Sequence, residues 1–194
     1  MMYNIRRRVH MTITNRSTNY PISDVILNRW SPRAFAKTPI ADDVLYRLFE
    51  AARYSPSANN FQPWRFIIAK TPEQLETFPS FINEGNLVWA KNAPVLALLV
   101  SENKYGMHSF DAGTSWGFLA LQATKEGLIT HPMGGMDRAK AREVLGVPDE
   151  YDIQIAIVIG YQGDASELSE ALQAREVPST RKPLEEIVFE GLFK

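Results

Sequence analysis

Two guanidiniums flank a hydroxyl in "RWSPRAF", which carries Arg29, Ser31 and Arg33. Charge-assisted hydrogen bonds contribute about 1.5–3 kcal/mol each, so this spacing suits a phosphate dianion. Taken alone it reads first as two solvated arginines, or two paired with acids, because surface ion pairs contribute little. "SPSANNFQPW", from Ser55 to Trp64, sets Ser57, Asn59, Asn60 and Gln62 between Pro56 and Pro63. Neutral hydrogen-bonding groups held stiffly make a binding edge; the plainer reading is a proline turn in which Asn59 and Asn60 take permissive backbone angles. "HPMGG" puts Gly134 and Gly135 behind His131, and "TRKP" places Arg181 and Lys182 in the tail. A lone glycine pair reads first as a turn.

Several chemistries have no residues to carry them. Without cysteine there is no disulfide, thiolate nucleophile or cysteine metal site, which suits a reducing cytoplasm. The histidines, His10, His108 and His131, do not stand at metal-ligand spacing, so no metal is expected. Neither a G-x-G-x-x-G dinucleotide fingerprint nor a G-x-S-x-G nucleophile elbow occurs. Asp42 and Asp43 read as favourable charge at a helix start rather than an acid–base couple.

The elements that must position these residues follow from periodicity. Val44, Leu45, Leu48, Phe49 and Ala52 recur at helical spacing from Asp42 to Ala52. "WRFIIAK" reads as a strand, and "TPEQLETF" opens a helix with Thr71 as N-cap, Pro72 first and Gln74 completing a capping box. "APVLALLV" is a strand buried on both faces. Ser109 to Glu126 is a nearly all-round apolar helix stopped by Gly127, suited to a core or a subunit contact. "HPMGGMD" reads as a glycine-centred loop, followed by a short helix capped by Asp137 and ended by Gly146 and Pro148. Ile153, Ile155, Ile157 and Ile159 stand in strict alternation, as in a strand.

Chain-wide numbers bound the rest. The 194 residues suit one domain, and 45% hydrophobic with 22% charged residues is globular composition. A formal charge of -1 gives no field to attract nucleic acid or an anionic membrane, and no apolar run is long enough to span one. Residues 1–20 are basic and polar without the apolar core of a secretory signal. They read as a flexible extension, with Met11 as an alternative start, ahead of one domain over 21–194.

In order, "RWSPRAF", a helix, "PSANNFQPWRFI", a long helix beginning "DAGTSWGFLALQA", "PMGG" and "RKPLEEIV" resemble the nitroreductase family of FMN-dependent oxidoreductases, over about residues 22 to 190. The resemblance implies an α+β fold, a central mainly antiparallel sheet wrapped by helices, and an interlocked homodimer with FMN at the subunit interface. Arg29, Ser31 and Arg33 match the family's phosphate-binding motif, with Trp30 contributing backbone contact. Pro56, Ser57 and Ala58 match positions at the pyrimidine edge of the flavin. Asn60 and Gln62 match polar site residues, Gln62 reaching toward the partner subunit's flavin. Met133, Gly134 and Gly135 match the segment whose backbone meets flavin N5, and Arg181 and Lys182 match basic residues that return to the phosphate. For the flavin O2 edge the candidates are Asn83 and Asn86. The stretch from Glu102 to Phe110, with Tyr105 and His108, reads either as a substrate-facing segment or as an ordinary loop.

The implied activity is hydride transfer from NADH or NADPH through flavin N5 to a nitroaromatic, quinone or flavin-type acceptor by ping-pong kinetics. The cofactor carries that chemistry, so no protein catalytic residue is required. The alternative is a flavin-binding module that stores or senses FMN without turnover.

Overall fold

A computed structural model describes residue 14 and residues 16–193. Strands β1 (Trp64–Ala69), β2 (Val95–Glu102), β3 (Ile129–Met133) and β4 (Tyr151–Gly160) form one antiparallel sheet in the order β1-β2-β4-β3. Helices are α1 (Asp24–Asn28), α2 (Asp42–Arg53), α3 (Pro72–Leu75), α4 (Glu84–Ala90), α5 (His108–Lys125), α6 (Arg138–Leu145) and α7 (Glu170–Gln173). This is the expected α+β architecture with a central antiparallel sheet.

Each face of the sheet has its own core. Leu45, Leu48 and Ala52 of α2 and Ala112, Leu119 and Ala123 of α5 pack against Ala97, Leu99, Ile157 and Ile159. On the other face Phe78, Phe81 and Trp89 cover Leu96, Leu98, Val100 and Val158. Burying one such side chain contributes about 1.5–3 kcal/mol, so both faces are strongly specified. An ion pair from Arg47 to Glu126, 2.9 Å, fastens α2 to the residue after α5.

Four local readings change. Helix α3 is one turn long although its capping box forms as expected, because Pro79 has no amide to give and constrains the backbone at Phe78. His131, Pro132 and Met133 lie in β3, not in a loop. Pro132 is tolerated there because β3 is an edge strand. Ile153, Ile155, Ile157 and Ile159 do not share one face: the register shifts where Leu99 pairs with Ile155 and Val100 with Ile153. Gln154 is the inserted residue, so Ile153 packs in one core and Ile157 and Ile159 in the other. Helix α4 was not expected; with Gly85 and Asn86 in its first turn it has little intrinsic propensity, and burial of Trp89 and Ala90 holds it.

Helix α6 is capped as expected. Asp137 accepts from the Lys140 amide at 2.9 Å, and Gly146 takes the left-handed angle, φ 61°, that ends the helix. Of the extension expected over 1–20, residues 1–13 and 15 lie outside the described residues. Thr14 is buried, and its amide donates to Asn28 Oδ1 at 2.8 Å.

Candidate cofactor site

The turn after α1 carries "RWSPR" into a bridge between Phe35 and Gln162, with the Ala36 amide donating to the Tyr161 carbonyl at 2.9 Å. Arg29 is half-buried, and its Nη1 donates to Ser31 Oγ at 3.3 Å. The tail returns here. Arg16 Nε and Arg181 Nη1 donate to the same Ser179 carbonyl, at 3.2 and 3.3 Å, and Arg16 Nη1 donates to the Arg29 carbonyl at 2.8 Å. Burial first, then the charges of Arg181 and Arg16, hold Arg29 below the ordinary arginine pKa. Among the described residues none of these arginines is ion-paired. Unpaired cations held together are a site for an anion.

Arg33 takes a different course. Glu176, almost fully buried, accepts the Arg33 and Ala34 amides at 2.7 and 2.8 Å, with its other oxygen 4.0 Å from Arg33 Nη1. Lys182 is exposed and pairs with Glu186 at 3.3 Å. Trp30 is buried with its Nε1 unpartnered among the described residues, so the motif divides between Arg29 and Ser31 in contact, Arg33 beside a carboxylate, and Trp30 in the core.

His131 reaches the same loop from β3, its Nδ1 lying 2.9 Å from the Pro32 carbonyl. A carbonyl only accepts, so Nδ1 carries the proton. Burial lowers the pKa of His131; the Pro32 hydrogen bond opposes this, and Arg33 and Arg29 lower it further.

The polar loop is under backbone constraint. Asn59, Asn60 and Gln62 all have left-handed φ, 49°, 57° and 49°. Asparagine tolerates that region and glutamine seldom does, so the backbone of this loop is held in a strained form. Ser57 Oγ accepts from the Gln62 amide at 3.0 Å, and Gln62 Nε2 donates to Asn60 Oδ1 at 3.1 Å. The Ala58 amide donates to buried Asp111 of α5 at 3.1 Å. Pro56 is exposed, and Phe61 stacks on Tyr105 with centroids 4.1 Å apart.

Met133 points into the core, leaving only its backbone for a ligand. Asn83 and Asn86 meet the glycine segment: the Gly135 carbonyl accepts the Asn83 amide at 3.1 Å and Asn86 Nδ2 at 3.3 Å. A Cβ on Gly135 would come 2.7 Å from Asn86 Nδ2, whereas one on Gly134 would meet nothing within 4 Å. Among the described residues the Gly134 and Gly135 N–H groups donate no hydrogen bond, so they are spare donors beside an open backbone.

Sequence reasoning passed over Arg16, Glu176 and Asp111. Arg16 lay in the presumed extension, Glu176 stands in a segment with no motif around it, and Asp111 opens the "DAGTSWGFLALQA" stretch without having been given a role. His108 contacts Ser101 Oγ at 2.8 Å, with Asp152 3.8 Å from its Nε2. That order imitates a nucleophile triad, but Ser101 is fully buried and serves the core. Among the described residues no group of His, Cys, Asp or Glu is placed to hold a metal ion.

An antiparallel sheet with helices on both faces makes an α+β fold that carries a cluster of arginines without paired acids and a polar left-handed loop. The nitroreductase family model matches residues 26–88 and 76–161, and the chain belongs to that family. A solved oxidoreductase described as containing FMN is 41% identical, with a TM-score of 0.90, over 93% of this chain and 97% of its own. An NADH dehydrogenase of Thermus thermophilus is 25% identical over 84% of this chain and 92% of its own. An iodotyrosine deiodinase of Thermotoga neapolitana is 26% identical over 73% of this chain and 88% of its own.

Proposed function

We propose that this chain binds FMN and works as an NAD(P)H-dependent oxidoreductase. The observation that carries the reading is the arginine cluster around Ser31, set in a family relative of an FMN-containing oxidoreductase. Arg29, Ser31 and Arg181 suit the phosphate; Ser57, Asn60 and Gln62 suit the ring carbonyls and nitrogens; the spare Gly134 and Gly135 amides suit the N5 edge. When bound, FMN supplies the hydride chemistry, accepting from NADH or NADPH and passing to a nitroaromatic, quinone or flavin-type acceptor in alternate half-reactions. The chain's own residues bind and orient it, and the preset loop lowers the entropy lost on binding.

A second copy suits the exposed apolar surface. Among the described residues, the loop's side-chain hydrogen bonds stay within it or run to Asp111 and Arg65, and none runs to Arg16, Arg29 or Arg181. A cofactor bridging two copies accounts for that separation. A groove of about 320 Å³ between α1 and α5 is lined by Val25, Ile26, Phe118 and Leu121, and the tail exposes Ile187, Val188, Leu192 and Phe193. Such patches mark protein contacts.

The test is an anaerobic absorbance spectrum of the protein with added FMN, before and after NADH and then NADPH. Loss of the oxidised flavin band supports the oxidoreductase. Bound flavin that neither nucleotide reduces replaces it with a storage or sensing role, and no bound flavin overturns the reading.

A further inference from the structure

The arginine cluster has a member that no sequence motif assigns. Arg16 spends Nη1 on the Arg29 and Leu27 carbonyls, at 2.8 and 3.4 Å, and Nε on Ser179 at 3.2 Å. Those bonds fix the plane of its guanidinium against the turn after α1 on one side and the tail on the other. The remaining nitrogen, Nη2, is buried and has no hydrogen-bond partner among the described residues. Leaving a buried donor unmade is costly, and a guanidinium cannot escape by losing its proton. An anion is the acceptor that best matches a fixed positive charge, and Arg16 has no carboxylate paired to it among the described residues.

We propose that Arg16 Nη2 binds the phosphate monoester directly, completing with Arg29, Ser31 and Arg181 a cradle that joins the N-terminal segment to the tail. The inference rests on the FMN reading for the identity of the phosphate. Geometry supplies the convergence, since Arg16 and Arg181 share the Ser179 carbonyl and Arg16 touches the Arg29 backbone. The charges agree: Arg16 is lowered from the ordinary arginine pKa by burial and then by Arg181. A doubly charged phosphate reverses that repulsion, whereas riboflavin, which lacks the phosphate, leaves it untouched.

The test compares FMN and riboflavin affinities of the wild type, Arg16→Ala and Arg16→Lys by quenching of flavin fluorescence. Arg16→Ala is expected to weaken FMN on the order of tenfold and leave riboflavin unchanged, with Arg16→Lys recovering part of the loss. Equal weakening of both flavins, or of neither, overturns the inference while FMN binding by the wild type keeps the functional reading. A wild type that binds neither flavin overturns the functional reading, and the inference is then judged with inorganic phosphate. Phosphorus NMR broadening lost in Arg16→Ala sustains it, and none in the wild type overturns it.

Discussion

The amide of Ala58 donates to the carboxylate of Asp111 at 3.1 Å, across 53 residues of sequence. A buried acid on α5 thereby pins the strained polar loop from beneath. Asp111→Ala should cost about 1–3 kcal/mol by leaving the Ala58 amide unpaired. Urea unfolding measures it, and a change within 0.5 kcal/mol, about the usual surface value, would remove Asp111 from the role.

Asn59 is exposed with φ at 49°, so substitutions there report the backbone with little interference from packing. Asn59→Gly should be neutral or slightly stabilising. Asn59→Val should lose about 1–2 kcal/mol, the cost of a left-handed angle for an ordinary residue. Equal melting temperatures for the two variants would mean that the loop relaxes to a right-handed form in solution.

Gly135 and Asn86 should be energetically coupled. A methyl group on Gly135 pushes against Asn86 Nδ2 and threatens its hydrogen bond to the Gly135 carbonyl. The expected loss for Gly135→Ala is about 1 kcal/mol. In an Asn86→Ala background the added methyl should cost much less, and additive losses in the double-mutant cycle would refute the contact.

Arg29 and Arg33 share a motif but should differ in effect. Arg29→Ala should weaken FMN binding by about 2 kcal/mol, or about 30-fold. Arg33→Ala should weaken it less, because the Arg33 side chain lies beside Glu176. Calorimetric titration with FMN ranks them, and the reverse order would move the phosphate toward Arg33.

His131 should make stability depend on pH. Burial puts its folded pKa below the ordinary 6.5, so the unfolded chain takes up a proton first as pH falls. Stability from this group is complete above the unfolded value and declines as pH drops from about 6.5 toward the lower folded value. His131→Asn should flatten that slope in melts between about pH 7 and pH 5. An unchanged slope would assign it to other groups.

Much of this architecture was legible wherever one physical signal dominated. Leu45, Leu48 and Ala52 announced α2 by period, and Thr71 with Gln74 announced a helix start by reciprocal capping. β3 was hidden because Pro132 and the following glycines carry turn chemistry, and only the strand's place at the sheet edge permits them. At the candidate site, Arg29, Ser31 and Arg181 were visible as a motif and a basic tail. Arg16 and Glu176 were not, since each gains its meaning from a contact more than 140 residues away.

The shared Ser179 carbonyl also bears on the order in which the molecule assembles. Arg16 and Ser179 are 163 residues apart, and closing a loop that long from the unfolded chain costs about 4.5 kcal/mol in entropy. The single hydrogen bond from Arg16 to Ser179 cannot offset that alone. Antiparallel pairing of β1 with β2 and of β2 with β4 brings the chain back on itself and holds those ends near each other. Contacts that close so long a loop depend on the rest of the domain being in place, and an anion held there would tie the two ends of the loop together without a covalent bond.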